Sequence, residues 1–273
     1  MGLTLHDEIV AAVARWSFIP HDAVRVESPE YLVLGLPSWW DEPLELRSFT
    51  PTRAMDVVLD EVVAGCVPTG RPHLLCWVRL EAPTGWEDLL LARGGVLAET
   101  LAVLGRALDA RDLPDLAPAD DVELRWALDA ATLRDAMWLG TEVFGGAMPD
   151  ETTLAAEFER ERVKAASGGG GSVVAYREGR PVGTAGVTVE RGDVRLWGGA
   201  VLPRARRRGV YRALLRERLR YGVAHGGTLA LVKGRVESSA PILLRAGFEM
   251  VGEERSYQVP LSSDPISGPA ASG

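Results

Sequence analysis

Eight of the residues from Pro203 to Arg220 are arginines, and Glu217 is the one acidic residue among them. The segment carries a local charge of +7 in a chain whose net charge is −8, which leaves −15 on the remainder. A cationic cluster this tight in an acidic chain predicts a specific binding site for an anion. A solvated, exposed run of arginines is the alternative interpretation.

The arginines lie between a predicted strand that ends at Val201 and a predicted helix that begins near Val210. Pro203 cannot continue the ladder of a sheet, so the chain turns outward there. The first N–H groups of a helix have no partners within it, and the helix dipole adds about half a positive charge. Gly209 can adopt a positive φ and let a ligand approach the backbone. The arrangement is typical of a phosphate or pyrophosphate site, to which arginines add charge-assisted hydrogen bonds.

Other phosphate-binding motifs are missing from the sequence. Neither a Gly-x-x-x-x-Gly-Lys-[Ser/Thr] loop nor a Gly-x-Gly-x-x-Gly fingerprint occurs. Gly198 and Gly199, within the preceding strand, weaken its pairing and leave room for something to approach the backbone.

The elements around this segment follow from hydrophobic periodicity, caps and turn residues. Asp129 and Asp150 are expected to cap helices, and Glu178-Gly179 and Arg191-Gly192 to form hairpin turns. The segment SGGGGS at 167–172 indicates a short flexible loop. Strands are predicted over 122–128, 173–177, 181–189, 194–201, 229–232 and 248–259, and helices over 130–144, 151–166, 210–225 and 238–245. This order predicts a mixed α/β sheet with helices on both faces.

The domain boundary is predicted from composition. Residues 109–121 (DARDLPDLAPADD) hold five Asp and two Pro, which suits an exposed linker. We expect an N-terminal lobe over 1–118 and a second domain over 122–261. Residues 262–273 cannot bury enough apolar surface to order themselves and are predicted to form a disordered tail.

The N-terminal lobe contains a faint internal repeat. Residues 73–100 and 228–252 both run strand, loop, helix, basic residue, glycine and a further strand, with Gly95 expected to match Gly247. Such a period suggests duplication of a domain, although two unrelated strand–helix–strand units would look alike. The first copy lacks an Arg-Gly loop, so no phosphate chemistry is expected there.

Composition excludes several classes of protein. Of 273 residues, 47% are apolar and 25% are charged, which excludes a disordered or fibrous chain. No stretch approaches the ~20 apolar residues of a membrane span, and the first residues lack a secretory signal. Cys66 and Cys76 are too few for a disulfide framework, so a cytoplasmic protein is expected. Arginine supplies 28 of 30 basic residues, which is typical of a GC-rich bacterial genome.

The loop and the order of elements together resemble the GNAT superfamily of acyl-CoA-dependent N-acyltransferases. The family's loop reads [Arg/Gln]-x-x-Gly-x-[Gly/Ala], and residues 206–211 read Arg-Arg-Arg-Gly-Val-Tyr. Residues 245–248, Arg-Ala-Gly-Phe, look like the family's late Gly-Phe signature. The resemblance covers residues 122–261 and implies the GNAT fold, in pseudo-tandem with a smaller, degenerate N-terminal lobe.

The resemblance also implies a co-substrate, acetyl-CoA, and a way to bind it without a metal. The backbone of Val201, and of Pro203, would pair with the pantetheine arm. The Val201 amide would polarise the thioester carbonyl, and a substrate amine would attack that carbonyl directly. The pyrophosphate would be cradled by the amides of Arg206, Arg207, Arg208, Gly209, Val210 and Tyr211.

The sequence departs from the family at the residues that move protons. Tyr211 replaces the last small residue of the loop, where it could cover the cofactor or pack in the core. Leu243 stands where the family often has a tyrosine that acts as the general acid. The strand over 194–201 contains no carboxylate that could act as the base. The remaining candidates for the acid and the base are Glu190, Asp193, Ser238, Ser239 and Tyr257. A water chain beside a well-placed amine is the other possibility.

We therefore expect an N-acetyltransferase that acts on the primary amine of a small molecule, as a monomer or homodimer. The N-terminal lobe would wall the acceptor pocket, and the −15 charge outside the loop favours a cationic acceptor. A catalytically inactive acyl-CoA sensor is the alternative, because the expected acid and base are absent. Few aromatic residues interleave the arginines, so nucleic acid is not expected as a partner, and neither is a membrane.

Overall fold

A computed structural model describes residues 3–16, 18–37, 39–40, 44–116 and 121–261. The predicted tail over 262–273 and the predicted boundary at residue 118 lie outside these ranges. The helices are α1 (Leu5–Ala14), α2 (Met55–Cys66), α3 (Trp86–Ala92), α4 (Ala130–Phe144), α5 (Glu151–Ala166), α6 (Val210–Ala224) and α7 (Ala240–Arg245). The strands are β1 (Val24–Glu27), β2 (Tyr31–Gly35), β3 (Leu44–Phe49), β4 (His73–Val78), β5 (Val96–Ala107), β6 (Glu123–Trp126), β7 (Gly170–Arg177), β8 (Arg180–Glu190), β9 (Asp193–Val201), β10 (Leu229–Arg235) and β11 (Glu249–Pro260).

Two compact units are formed, and neither is one continuous stretch of chain. The first contains Met1–Trp16 and Ala102–Gly252, and the second contains Ser17–Leu101 and Glu253–Gly273. The divisions fall inside β5 and β11, so each of these strands contributes one part to each unit. Among the described residues, no helix combines the length and apolar character that crossing a bilayer requires.

This division differs from the linear one that the sequence suggested, because part of the Asp-rich stretch is packed. The N–H of Leu108 donates to the carbonyl of Thr228 at 2.7 Å, which ties the end of β5 to the first unit. Leu116 is buried in the same hydrophobic core. Residues 109–116 are therefore not a free linker. Their aspartates suggested an exposed segment and gave no sign that the leucines between them are packed.

The first unit is built on a mixed sheet with strand order β5-β10-β9-β8-β7-β6. The strands from β6 to β9 are antiparallel neighbours, whereas β9 and β10 run parallel. Val173 and Ala175 of β7 belong to one hydrophobic cluster with Leu214 of α6, and Val174 belongs to another with Leu139 of α4. Successive strand residues point to opposite faces, so α4 and α6 cover opposite faces of the sheet. The predicted mixed α/β architecture is confirmed.

The predicted caps and turns are also confirmed. Asp129 accepts the N–H of Thr132 at 2.8 Å, and Asp150 accepts the N–H of Thr153 at 2.8 Å. Both hairpins use two-residue turns with positive φ at both positions, which matches the right-handed twist of the strands. These φ angles are 51° at Glu178, 72° at Gly179, 53° at Arg191 and 85° at Gly192.

The glycine-rich segment over 167–172 is not the flexible loop that the sequence suggested. Its second half opens β7, where Gly170 pairs with Thr188 of β8. A Cβ on Gly170 would lie 2.1 Å from the carbonyl oxygen of Val187, so the close approach of the two strands requires glycine. The run of glycines therefore reflects strand packing rather than flexibility.

The second unit has the strand order β1-β2-β3-β4-β11-β5 and contains α2 and α3. Its core centres on the fully buried Trp86, which stacks on Phe49 with 4.1 Å between ring centroids. The indole Nε1 of Trp86 donates to the carbonyl of Trp77 at 3.1 Å, so the buried polar atom is satisfied. Leu59 and Leu74 belong to the same core and are fully buried.

The internal repeat is present, displaced by one residue from its predicted register. In both copies a helix between two strands, α3 or α7, ends in the same pair of backbone hydrogen bonds. The donors and acceptors are Gly94 to Leu91 and Gly95 to Leu90 in one copy, and Gly247 to Leu244 and Phe248 to Leu243 in the other. Gly94 and Gly247 have φ angles of 75° and 78°. Gly94, rather than Gly95, therefore matches Gly247.

One carboxylate holds the loop that leads into α2. Glu30 accepts hydrogen bonds from the backbone N–H groups of Thr52 at 2.6 Å and Arg53 at 2.9 Å, and from Nε of Arg53 at 2.6 Å. These donors lower the pKa of Glu30 from 4.5 to about 2, and the N–H of Arg53 is the largest cause.

We predict that this carboxylate makes the stability of the protein sensitive to acid. The unfolded chain binds a proton at the ordinary pKa of glutamate, whereas the folded chain does so only near pH 2, so stability falls as the pH falls through this window. Denaturant unfolding at about pH 5 and pH 3 should therefore differ less for Glu30→Gln than for the wild type. Glu81→Gln, which changes an exposed carboxylate, should keep the wild-type difference, and equal pH dependences for Glu30→Gln and wild type would contradict the prediction.

Candidate functional site

The arginine-rich loop is an exposed turn at the start of α6. After β9 ends at Val201, a short 3₁₀ turn over Pro203–Ala205 leads the chain outward. Arg207 has a φ of 62° and Gly209 a φ of 80°, so the loop reverses direction through two left-handed residues. Arg206, Arg207 and Arg208 are exposed.

The amides of this loop are available to a ligand. Gly209 is the N-cap of α6 and, having no side chain, supplies no capping hydrogen bond to the first turn. Within the described residues, no backbone acceptor meets the N–H of Arg207, Arg208 or Gly209. The first hydrogen bond at this end of the helix runs from the N–H of Ala213 to the carbonyl of Gly209 at 3.0 Å. These groups fit an anion, because unpaired amides and the helix dipole both favour negative charge.

The backbone of Val201 presents its N–H to the edge of β9 that faces away from β8. The N–H of the next residue, Leu202, donates to Val182 of β8 at 3.0 Å. Because successive N–H groups of an extended chain point to opposite sides, the N–H of Val201 points to the other edge. The carbonyl of Val201 accepts Nε of Arg206 at 3.2 Å, so this predicted pairing group already has a partner.

That edge is open because β9 and β10 diverge. The two parallel strands pair from Asp193 to Leu196 on β9 and from Leu229 to Val232 on β10, although both strands continue. The last part of β9, from Trp197 to Val201, therefore has no pairing with β10. We call this unpaired stretch of the β9 edge the cleft: its vertex is Leu196, where pairing with β10 ends, and its mouth is Val201, which precedes the arginine-rich loop.

A bulge bends β9 inside this cleft. Thr184 of β8 pairs with Ala200 and Gly186 pairs with Trp197, so three steps on β9 match two on β8. Gly198, in the bulge, has a φ of 59°, and Gly198 and Gly199 are both exposed. The sequence prediction that these glycines weaken pairing and open the backbone agrees with this geometry.

Tyr211 lies beneath the bulge. A Cβ on Gly199 would lie 3.1 Å from Cε2 of Tyr211, so the missing side chain makes room for the ring. The ring packs against the hydrophobic core, and burial raises the pKa of Tyr211. Its neighbour is Arg218, whose guanidinium interacts with the Tyr211 hydroxyl. Arg218 is part of the predicted cationic cluster, but it is 1% exposed and therefore does not belong to the exposed arginines of the loop.

Two of the predicted catalytic candidates lie at the end of β9 that is remote from the loop. Asp193 begins β9 and Glu190 precedes it, so about 26 Å of extended strand separates Asp193 from Val201 and about 10 Å separates it from Leu196. Both belong to an ion-pair cluster: Arg195 lies 2.9 Å from Glu190 and 3.6 Å from Asp193, and Arg15 lies 3.5 Å from Asp193. Their contacts explain them as structural residues.

Tyr257 and the two serines occupy different surroundings. Tyr257 belongs to the second unit, where its hydroxyl donates to Glu87 at 2.5 Å, and burial followed by this bond raises its pKa to about 12. Ser238 is exposed, and Ser239 is the N-cap of α7. Ser239 follows the end of β10, and the ends of parallel strands meet at one edge of the sheet. Ser238 and Ser239 are therefore the candidates on the same side as Val201.

Leu243 is fully buried in the core, so the position where GNAT proteins often carry a tyrosine offers no proton donor. Trp197, by contrast, is 36% exposed. Its ring covers Gly186, its Nε1 donates to Oγ1 of Thr188 at 3.0 Å, and Nζ of Lys164 lies 5.1 Å from its ring centroid. Trp197 thus forms a partly exposed aromatic surface at the vertex of the cleft. Among the described residues, no three His, Cys, Asp or Glu side chains are grouped as a metal site.

Comparison with known proteins agrees with the geometry. Residues 132–248 match the sequence model described as the acetyltransferase (GNAT) family. No curated protein sequence matches the chain.

Solved structures share the fold. A GCN5-related N-acetyltransferase from Sphaerobacter thermophilus aligns with a TM-score of 0.62 and 18% identity, over 93% of this chain and 85% of that one. One from Kribbella flavida aligns with a TM-score of 0.59 and 18% identity, over 87% and 90%. A tandem GNAT protein from the clavulanic acid biosynthesis pathway aligns with a TM-score of 0.60 and 12% identity, over 90% and 86%. These similarities establish the fold, including its tandem arrangement.

The ion-pair cluster at the start of β9 generates a stability prediction. Asp193→Asn should lower the free energy of unfolding by about 1–3 kcal/mol, because it leaves the largely buried Arg195 without its buried anionic partner. Glu190→Gln should cost less than about 1 kcal/mol, because the Glu190 side chain is 48% exposed and its ion pair is screened by solvent. Denaturant unfolding of both variants measures the difference, and the reverse order would show that the cluster is wrongly assigned.

Proposed function

Because residues 132–248 form a GNAT acetyltransferase domain, we propose that the chain is an acyl-CoA-dependent N-acyltransferase. The proposed reaction transfers the acetyl group of acetyl-CoA to the primary amine of a small molecule. The observation that carries the proposal is the row of unpaired amides at the exposed, arginine-flanked start of α6.

The start of α6 would bind the pyrophosphate of acetyl-CoA. The amides of Arg207 to Tyr211 supply donors, and the exposed arginines supply charge-assisted hydrogen bonds to phosphate oxygens. Arg206 would act through its side chain, because its own N–H already donates to the carbonyl of Pro203 at 3.3 Å. No large positive patch elsewhere is required, since the loop alone matches two phosphate charges.

The pantetheine arm would lie along the open edge of β9. The N–H of Val201 points to this edge and would donate to an acceptor on the arm or to the thioester carbonyl. The carbonyl of Val201 would contribute only if Arg206 releases it. Because pairing of β9 with β10 ends at Leu196, the pantetheine arm could extend along β9 from the loop to that residue.

In the proposed reaction, the nitrogen lone pair of the neutral amine attacks the thioester carbonyl carbon. The new C–N bond forms, the C–S bond breaks, and the electron pair of that bond leaves on sulfur as a thiolate. The attacking nitrogen gives its extra proton to water or to a nearby base. Ser238 and Ser239 are the remaining protein candidates for proton exchange, because Glu190 and Asp193 are engaged in ion pairs with Arg195 and the Tyr257 hydroxyl donates to Glu87.

The proposed setting is the bacterial cytoplasm, with no metal required for the reaction. Cys66 and Cys76 are both buried free thiols, which is consistent with a reducing compartment. The partly exposed Trp197, with Lys164 against its ring, would form part of the acceptor pocket at the vertex of the cleft.

We predict that Gly209→Asp weakens the binding of acetyl-CoA. The variant places a carboxylate beside the proposed pyrophosphate site, so acetyl-CoA should bind about 10–100-fold more weakly and no longer raise the melting temperature. Gly226→Asp is a matched control, because Gly226 has a similar φ of 79°, lies just past the other end of α6 and has open space around it. If Gly209→Asp keeps the wild-type response to acetyl-CoA, the loop is wrongly assigned.

Turnover distinguishes an enzyme from a sensor. Release of free thiol from acetyl-CoA should accelerate in the presence of at least one primary amine from a panel of amino acids, polyamines, amino sugars and aminated metabolites. Mass spectrometry of the amine should find one added acetyl group for each thiol released. Tight binding of acetyl-CoA with no turnover on any amine would favour the acyl-CoA sensor instead.

A further inference from the structure

Arg218 is a buried cation with no counter-ion among the residues that the structure describes. The residue is 1% exposed, and its Nε donates to the carbonyl of Leu214 at 3.2 Å within α6. One terminal nitrogen, Nη1, donates to the carbonyl of Gly186 on β8 at 3.3 Å, while the buried Nη2 has no hydrogen-bond acceptor among the described residues. No carboxylate in the described part of the chain pairs with it.

The surroundings of Arg218 do not neutralise it. Burial lowers its pKa, and within the part of the chain that the structure describes, Tyr211 is the titratable side chain that acts on the guanidinium. Guanidinium groups remain protonated in proteins, so a positive charge stays in a region of low dielectric. Burying a charge that has no counter-ion costs free energy. A charged side chain is not needed merely to donate a hydrogen bond to a backbone carbonyl, because a neutral donor could do the same.

Arg218 lies at the level of the cleft vertex. It is eight residues beyond the start of α6 at Val210, which is about 12 Å along the helix. Trp197 is four residues before Val201, which is about 13 Å along β9. The hydrogen bond from Arg218 to Gly186 gives the same position independently, because Gly186 pairs with Trp197 across β8 and β9. The cation therefore lies beneath the end of β9 where pairing with β10 stops.

We infer that Arg218 stabilises the negative charge that develops on the departing thiolate and on the thioester oxygen at the vertex of the cleft. This inference rests on the proposed function. GNAT proteins often use a tyrosine to stabilise the departing thiolate, and this chain has the buried Leu243 at that position. In the inferred scheme, the electric field of Arg218 stabilises the thiolate instead. Arg218 is a positioning and electrostatic residue, since it reaches the cleft through Tyr211 and the bulge rather than by direct contact.

The chemistry remains balanced without a protein acid. The C–S electron pair leaves on sulfur, and the thiolate leaves the site as an anion or takes a proton from water after transfer. Arg218 gives up no proton in this scheme. Its field lowers the energy of the anion, as a charge that is already in place needs no reorganisation during the reaction.

The pKa of the thiol of bound CoA tests the inference directly. Ultraviolet absorbance of the thiolate, followed by titration of the CoA complex, should give a thiol pKa at least about one unit below that of free CoA in the same buffer. The shift should disappear in Arg218→Met and shrink in Arg218→Lys, because a buried ammonium gives up its proton far more readily than a guanidinium. Arg220→Met removes an exposed charge from the same helix and should keep the wild-type shift.

Lys233 is a second cation at this level, on β10, with its Nζ 5.9 Å from the ring centroid of Trp16. Titration of CoA bound to Lys233→Met separates its contribution from that of Arg218. A thiol shift that survives in Arg218→Met and vanishes in Lys233→Met would overturn the assignment to Arg218.

Turnover provides the second measurement. Arg218→Met should lower kcat about tenfold or more, with the KM for acetyl-CoA changed by less than about threefold, because the effect arises at the reacting end. An unshifted thiol pKa in the wild-type complex would overturn the inference even if no variant folds. If the wild type does not bind CoA, the proposed function fails, whereas normal binding with an unshifted thiol defeats the inference alone.

Discussion

The divergence of β9 from β10 is the constraint on which the candidate site depends. Two parallel strands that pair over four residues and then separate leave backbone groups on their facing edges without partners. Such groups are costly unless a polar ligand or water meets them. The open edge of Val201, the bulge at Gly198 and the uncapped start of α6 all lie along this one gap. An extended ligand with amide groups and a phosphate end offers partners to each of them.

The sequence predicted what depends on neighbouring residues. Asp129 and Asp150 cap their helices because the capping side chain acts within one turn, and the hairpin turns follow from two residues each. The arginine-rich loop is equally local, since its proline, arginines and glycine set both its shape and its charge. The mixed sheet followed from the same local signals taken in order. The GNAT domain over 132–248 and the tandem arrangement were what the resemblance of the loop, the order of elements and the Gly-Phe pair implied.

Features set by distant parts of the chain were not predictable in this way. No residue of β5 or β11 indicates that the division between the two units falls inside these strands. The aspartates of 109–121 look exposed, and the neighbouring Leu116 is buried by a core assembled from other elements. Arg218 belongs to a run of exposed arginines by sequence and is buried by the face of α6 on which it falls. Glu190 and Asp193 resembled catalytic carboxylates until the strand placed them beyond reach of the loop.

The exposed arginines near the start of α6 and the buried Arg218 act at different distances from the loop. The field of a helix dipole fades within its first turn, and exposed arginines at the loop are screened by salt within about 10 Å. Neither source reaches far toward the level of Arg218, which lies about 12 Å along α6 from its start. A cation in the low-dielectric interior is screened much less, so Arg218 can act where the exposed charges cannot. Because the rest of the chain carries −15, positive potential at the vertex requires a local source, and Arg218 is the buried one that α6 provides.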